Sequence, residues 1–170
     1  MNINFLLVIV IILALYKIAD GYKKGMVKEI ISLVSMAVLC AVAALIAGGI
    51  SSYNDGKIFN AVAAVVLLAV LVIAHQLLKM VFFSAKLVSK LPVIHFANKL
   101  LGAVFGLFEV VLLLWTVYTL VMMMKLGAIG QIIVSYTQES RVLVWLYEHN
   151  YLAYVVELLL AKFNFGPFAK

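Results

Sequence analysis

Long apolar runs separated by short polar clusters dominate the chain. A helix needs about 20 mostly apolar residues to cross roughly 30 Å of hydrocarbon, and four stretches reach or approach that length. Ile30–Ile50 carries no charge and no proline, and Ile58–Leu78 carries no acid or lysine, with His75 and Gln76 only near its end. Leu100–Met124 contains a single charge, Glu109. Ile3–Ala19 is the weakest of the four, because Asn4 and Lys17 leave only Phe5–Tyr16 uncharged. Lys17 can snorkel its ammonium to the interface, which keeps a short span feasible; a re-entrant or broken first helix is the alternative. The segment lacks the basic start and cleavage site of a secretory signal, so it is expected to stay in the mature protein. The pattern predicts an all-α membrane protein with four transmembrane helices over residues 1–125 and an amphipathic tail over 126–170.

Within that tail, residues 139–162 are apolar but broken by Glu148, His149, Asn150 and Glu157. Holding that cluster in mid-bilayer is costly, so two short amphipathic helices on the outer face are expected, rich in interfacial Trp145, Tyr147, Tyr151 and Tyr154. A fifth span is the alternative. Between the spans, Asp20–Glu29 reads as a loop in which Gly21 and Gly25 supply turn or close-approach backbone, and Ser51–Lys57 as a cluster of turn formers. Lys79–Lys99 is longer and partly apolar. At 100° per residue Lys79, Lys86 and Lys90 fall close to one line, which predicts a helix running out of the third span along the interface, stopped by Leu91-Pro92.

Composition sharpens this picture. Apolar residues make up 67% of the 170, charged residues 12%, and mean hydropathy is +1.20. Such a chain cannot cover its own surface with polar groups in water, which excludes soluble, disordered and disulfide-framework classes. Cys40 has no second cysteine to pair with. The net charge of +6 does not point to nucleic acid, because the lysines lie beside membrane spans and no soluble domain presents them. Lys17, Lys23, Lys24 and Lys28 belong to the first loop, and Lys79, Lys86, Lys90 and Lys99 to the third. The second loop has only Lys57 and the N-terminal tail has none. By the positive-inside rule, loops one and three face the cytoplasm and both termini face outward. The expected contacts are the bilayer itself and anionic headgroups at these lysines.

Two stretches, placed in this order, carry a resemblance. Gly21-Tyr22-Lys23-Lys24-Gly25-Met26-Val27-Lys28-Glu29-Ile30-Ile31-Ser32-Leu33-Val34 joins a short first helix to the second. Asn98-Lys99-Leu100-Leu101-Gly102-Ala103-Val104-Phe105-Gly106-Leu107 opens the fourth span. Together they resemble the bacterial colicin V production protein (CvpA) family over roughly residues 1 to 160. The resemblance implies an inner-membrane accessory protein for bacteriocin production or export and envelope robustness, without a known reaction. Some relatives carry a serine protease domain after the fourth helix; none is expected in this chain. Asn4 stands where many relatives have an acid, Glu109 where many have a basic residue and Val110 where many have glycine, so a mechanism resting on those family residues does not carry over.

Candidate chemistry is sparse, and no enzyme or cofactor is implied. His75, His95 and His149 lie on separate elements, without a metal-binding spacing. His75 is expected to cap the end of the third span, and Ser32 and Ser35 to bond to carbonyls of their own helix. Glu109 stands out: it lies about 13 Å along the fourth span at about 1.5 Å per residue, where an ionised carboxylate must be paired, wet or neutralised. Two readings of it stay open: a functional one, as a proton or cation step in a small oligomeric channel or transporter or as a pairing site for a partner helix, and a structural bond to Thr116, a serine or a lysine from another helix. Gly102 and Gly106 share one helix face and mark close packing, within the monomer or between copies. The loop carrying Lys23, Lys24, Gly25, Lys28 and Glu29 offers ion pairs, headgroup contact or a docking site for a cytoplasmic partner. A homo-oligomer and a secretion or envelope protein are the partner classes left open.

Overall fold

The computed structural model describes residues 4–53, 57–84, 95–124 and 126–162. Seven helices are described: α1 (Phe5–Lys24), α2 (Met26–Tyr53), α3 (Lys57–Ser84), α4 (His95–Met123), α5 (Ala128–Gln138), α6 (Arg141–Glu148) and α7 (Tyr151–Lys162). The first four are long and apolar enough to cross a membrane. Helix is the form such runs adopt in lipid, because it satisfies every backbone N–H and C=O within the segment. Asn4 caps α1 by accepting from the Leu7 N–H at 2.9 Å.

All four long helices extend beyond the apolar runs that announce them. The expected ten-residue loop at Asp20–Glu29 is instead a single break at Gly25, whose φ of 82° lies in the left-handed region that glycine tolerates. Lys23 and Lys24 close α1, while Lys28 and Glu29 stand in the first turns of α2. Helix α1 is unbroken, and α3 runs past Lys79 to Ser84. The helix expected to run out of the third span is thus continuous with it from Lys79 to Ser84; Lys86 and Lys90 lie outside the described residues.

Helix α4 is the centre of the bundle. Helices α1 and α2 both pack on it, α3 packs on α2, and His75 and Lys79 of α3 reach Glu109 of α4. Small residues of α2 (Cys40, Ala43, Ala44 and Ala47) are buried and let the backbones approach. The opposite faces, such as Val8, Ile9, Ile12 and Leu15 on α1, are exposed as lipid-facing positions are.

Residues 139–162 fold as α6 and α7, broken at His149-Asn150, and residues preceding them form α5, a helix the sequence pattern does not foresee. The three short helices pack back on the bundle: α5 on α1, α6 on α4, and α7 on α2 and α4. Leu143, Leu152, Val156 and Leu160 are buried there, whereas Trp145, Tyr151 and Tyr154 stay exposed.

Candidate functional site: a charge cluster inside the bundle

Near the Gly25 end, helical spacing turns polar residues of four helices toward one point. On α1, Lys17, Asp20 and Lys24 follow one face at steps of three and four. On α3, His75 and Lys79 do the same, and on α2 so do Glu29 and Ser32. Glu109 of α4 lies at the centre with 1% of its surface exposed. Its Oε2 pairs with Lys17 Nζ and lies 3.6 Å from Lys79 Nζ; its Oε1 lies 3.7 Å from His75 Nε2. Ser32 Oγ and His75 Nε2 share a hydrogen bond of 3.3 Å. At the rim, Lys24 pairs with Asp20.

This geometry replaces several expectations. His75 does not cap the end of a span but faces Glu109 and Ser32 from within the bundle. Ser32 turns to His75, while Ser35 alone bonds to a carbonyl of α2, that of Ile31 at 2.8 Å. Thr116 donates to Leu112 O of its own helix at 2.8 Å, leaving Lys17 and Lys79 as the lysines beside Glu109. Glu29 is fully buried, and neither of its oxygens has a hydrogen-bond partner.

Close backbone contact between α1 and α4 sets this arrangement. A Cβ on Gly102 would collide with the carbonyl of Gly21 and stand 2.8 Å from the Gly25 carbonyl carbon. One on Gly106 would meet the Lys17 carbonyl and come within 3.5 Å of Glu29 Oε1. Asn98 locks the break itself by accepting from the Met26 N–H at 2.8 Å. Gly21, expected to supply turn or close-approach backbone, takes the close-approach role, four residues from Lys17 just as Gly102 is four from Gly106. The role of Asn98 is the one that sequence reasoning missed.

Beside the cluster lies a cavity of about 580 Å³ between α1 and α3. Lys17, His75, Lys79 and Glu109 line its polar part, and Leu13, Met36, Val72 and Leu113 its apolar part. Among the described residues there is no group of three or more His, Cys, Asp or Glu able to hold a metal ion. Cys40 is buried in the apolar core beside Met36 and Leu71. The cluster joins two lysines to one carboxylate, with the Ser32–His75 pair beside them and His75 Nδ1 without a hydrogen-bond partner.

Four membrane-length helices around a buried ionic cluster define a multi-pass α-helical membrane protein. The chain matches the colicin V production protein family over residues 4–150, and it belongs to that family, whose members are proteins of the bacterial inner membrane. The match ends at Asn150, so α7 lies beyond it. No curated protein and no solved structure matches the chain.

Proposed function

We propose that this protein is an accessory scaffold of the inner membrane, serving bacteriocin production or export and envelope maintenance, with both termini outside. The supporting observation is that its interior charges join its helices: Lys17 and Lys79 converge on Glu109 and tie α1, α3 and α4 together. Buried charges arranged this way hold helices in register and are strongly destabilised when one partner is removed. The lysine-bearing end, with Lys23, Lys24, Lys28 and Lys99, faces the cytoplasm and its anionic headgroups by the positive-inside rule, which leaves the helical tail on the outer face. Gly102 and Gly106 serve packing within the monomer, where α1 already occupies them. Exposed Trp145, Tyr151 and Tyr154 offer the tail an aromatic face toward the interface or an envelope partner.

The cavity beside Glu109 favours a second reading, a small oligomeric channel or transporter. Solute and proton flux into liposomes containing the purified protein separates the two. The scaffold predicts no flux above empty liposomes from folded protein. Flux that falls in Glu109→Gln would move the assignment to a pathway gated by that carboxylate.

A further inference from the structure

The cavity between α1 and α3 has a polarity gradient. Leu13 on α1 and Val72 on α3 line its apolar end, Lys17 and Lys79 follow one or two turns on, and Asp20 and Lys24 form the rim. From Leu13 to Lys24 the gradient extends about 16 Å along the helix axis. Tyr16 and Met80, at its edges, are exposed on the outer surface of the bundle, so the cavity opens sideways to lipid. Its volume, about 580 Å³, falls within the range of ligand pockets.

The charges facing this space do not cancel. Lys24 pairs with Asp20, whereas Lys17 and Lys79 share the one carboxylate oxygen Glu109 Oε2. Glu29 does not line the cavity. A cationic excess therefore sits where the walls change from apolar to polar, with Lys79 Nζ 3.6 Å from its carboxylate and the more loosely held of the two lysines. A complementary occupant has a phosphate at the level of Lys79 and Lys24 and hydrocarbon running down toward Val72 and Leu13.

We propose that the α1–α3 groove is a stoichiometric site for a single anionic phospholipid, entering from the bilayer. This deepens the inner-membrane reading above, which supplies only the leaflet: the cytoplasmic one. The site is set apart from general headgroup contact at exposed lysines by its apolar half, which a free phosphate leaves empty.

Native mass spectrometry of the full chain in detergent micelles tests this with phosphatidylglycerol, phosphatidylcholine, diacylglycerol and inorganic phosphate as probes. The expected result is retention of one phosphatidylglycerol per chain, with each of the other three bound at least about tenfold more weakly. Lys79→Gln should weaken phosphatidylglycerol by about tenfold, the scale of one charge-assisted contact. Val72 is exposed on the groove wall, so Val72→Trp should fill the apolar half without disturbing the core and abolish lipid retention while melting stays as in the wild type. Arg141→Gln, exposed at the far end of the molecule, should bind as the wild type does. Inorganic phosphate bound as tightly as the lipid would replace this proposal with a free-phosphate site. Phosphatidylcholine bound as tightly, or equal phosphatidylglycerol binding by wild type and Val72→Trp, would overturn it as well. Binding in micelles is independent of orientation. A negative result thus leaves the topology standing, and cysteine labelling that reversed the topology would leave the site in place.

Discussion

The two ends of the bundle are held together by different physics. At the Gly25 end, charged side chains from α1, α3 and α4 meet around Glu109, and a cavity opens beside them. At the opposite end the contacts are neutral. The Trp115 indole donates to Leu146 O at 2.9 Å, and the Asn150 amide donates to Trp115 O and Thr119 Oγ1, each at 3.1 Å. Tyr118 meets Tyr147 edge to face with centroids 5.0 Å apart, over buried Leu114 and Leu143. Neutral groups can be satisfied pairwise as each helix docks. Charges in a low-dielectric interior are stable only as a group, so the ionic end depends on several helices at once. Loss of one residue should therefore spread further at the ionic end than at the tail end.

The sharpest way to break this contrast is Glu109→Ala, which strands Lys17 and Lys79 without their carboxylate. It should destabilise the protein by about 3–5 kcal/mol, the range for removing one partner of a buried ionic group, read as a lowered melting temperature in detergent. Gly102→Leu comes next. The leucine side chain would enter the space held by the Gly21 carbonyl, separating α1 from α4 at about 3 kcal/mol, the upper end of overpacking costs. Crosslinking between cysteines placed on α1 and α4 should fall with it. At the tail, Asn150→Ala removes the cap that accepts from the Ala153 N–H at 3.1 Å and the two bonds to α4. A loss of about 1–2 kcal/mol is expected, with faster hydrogen exchange confined to α7. Smallest is Lys24→Ala at the rim, where a partly exposed pair with Asp20 contributes about 0.5 kcal/mol or less, so its melting curve should overlay the wild type. An Asn150→Ala loss as large as that of Glu109→Ala would erase the distinction between the ends.

Much of the helical framework was legible in the sequence, because each span is an apolar run of membrane length. Glu109 was legible for the same reason: a lone acid in such a run is conspicuous. Its partners were legible only as a class, a lysine or serine from another helix, and not by position. Lys17, His75 and Lys79 stand where apolar character fades, and hydropathy reads fading as the end of a span. Helices α1 and α3 continue to Lys24 and Ser84, which turns those apparent terminal residues into interior ones. The connection was obscured by glycine's two roles. Gly21 and Gly25 each fit a turn or a close approach, yet only Gly25 breaks the chain, while Gly21 is a helical contact for Gly102. Which role a glycine takes depends on the opposing backbone, and Gly102 lies far along the chain. Asn150 was legible as an obstacle to a fifth span, but its bonds to Trp115 and Thr119 are tertiary and leave no local trace.

The pairing of Lys17 with Glu109 across 92 positions also imposes an order on biogenesis. Ribosomes add roughly 5–20 residues per second, so the first helix leaves the ribosome about 5–20 s before its counterion is made. During that interval the ammonium must be tolerated without a carboxylate, and Lys17 meets the requirement by lying within reach of the water-lipid boundary. Synthesis of α4 ends the delay: the nascent chain then exchanges hydration of that amine for the internal pair, and the last helix of the bundle brings the first into its final position.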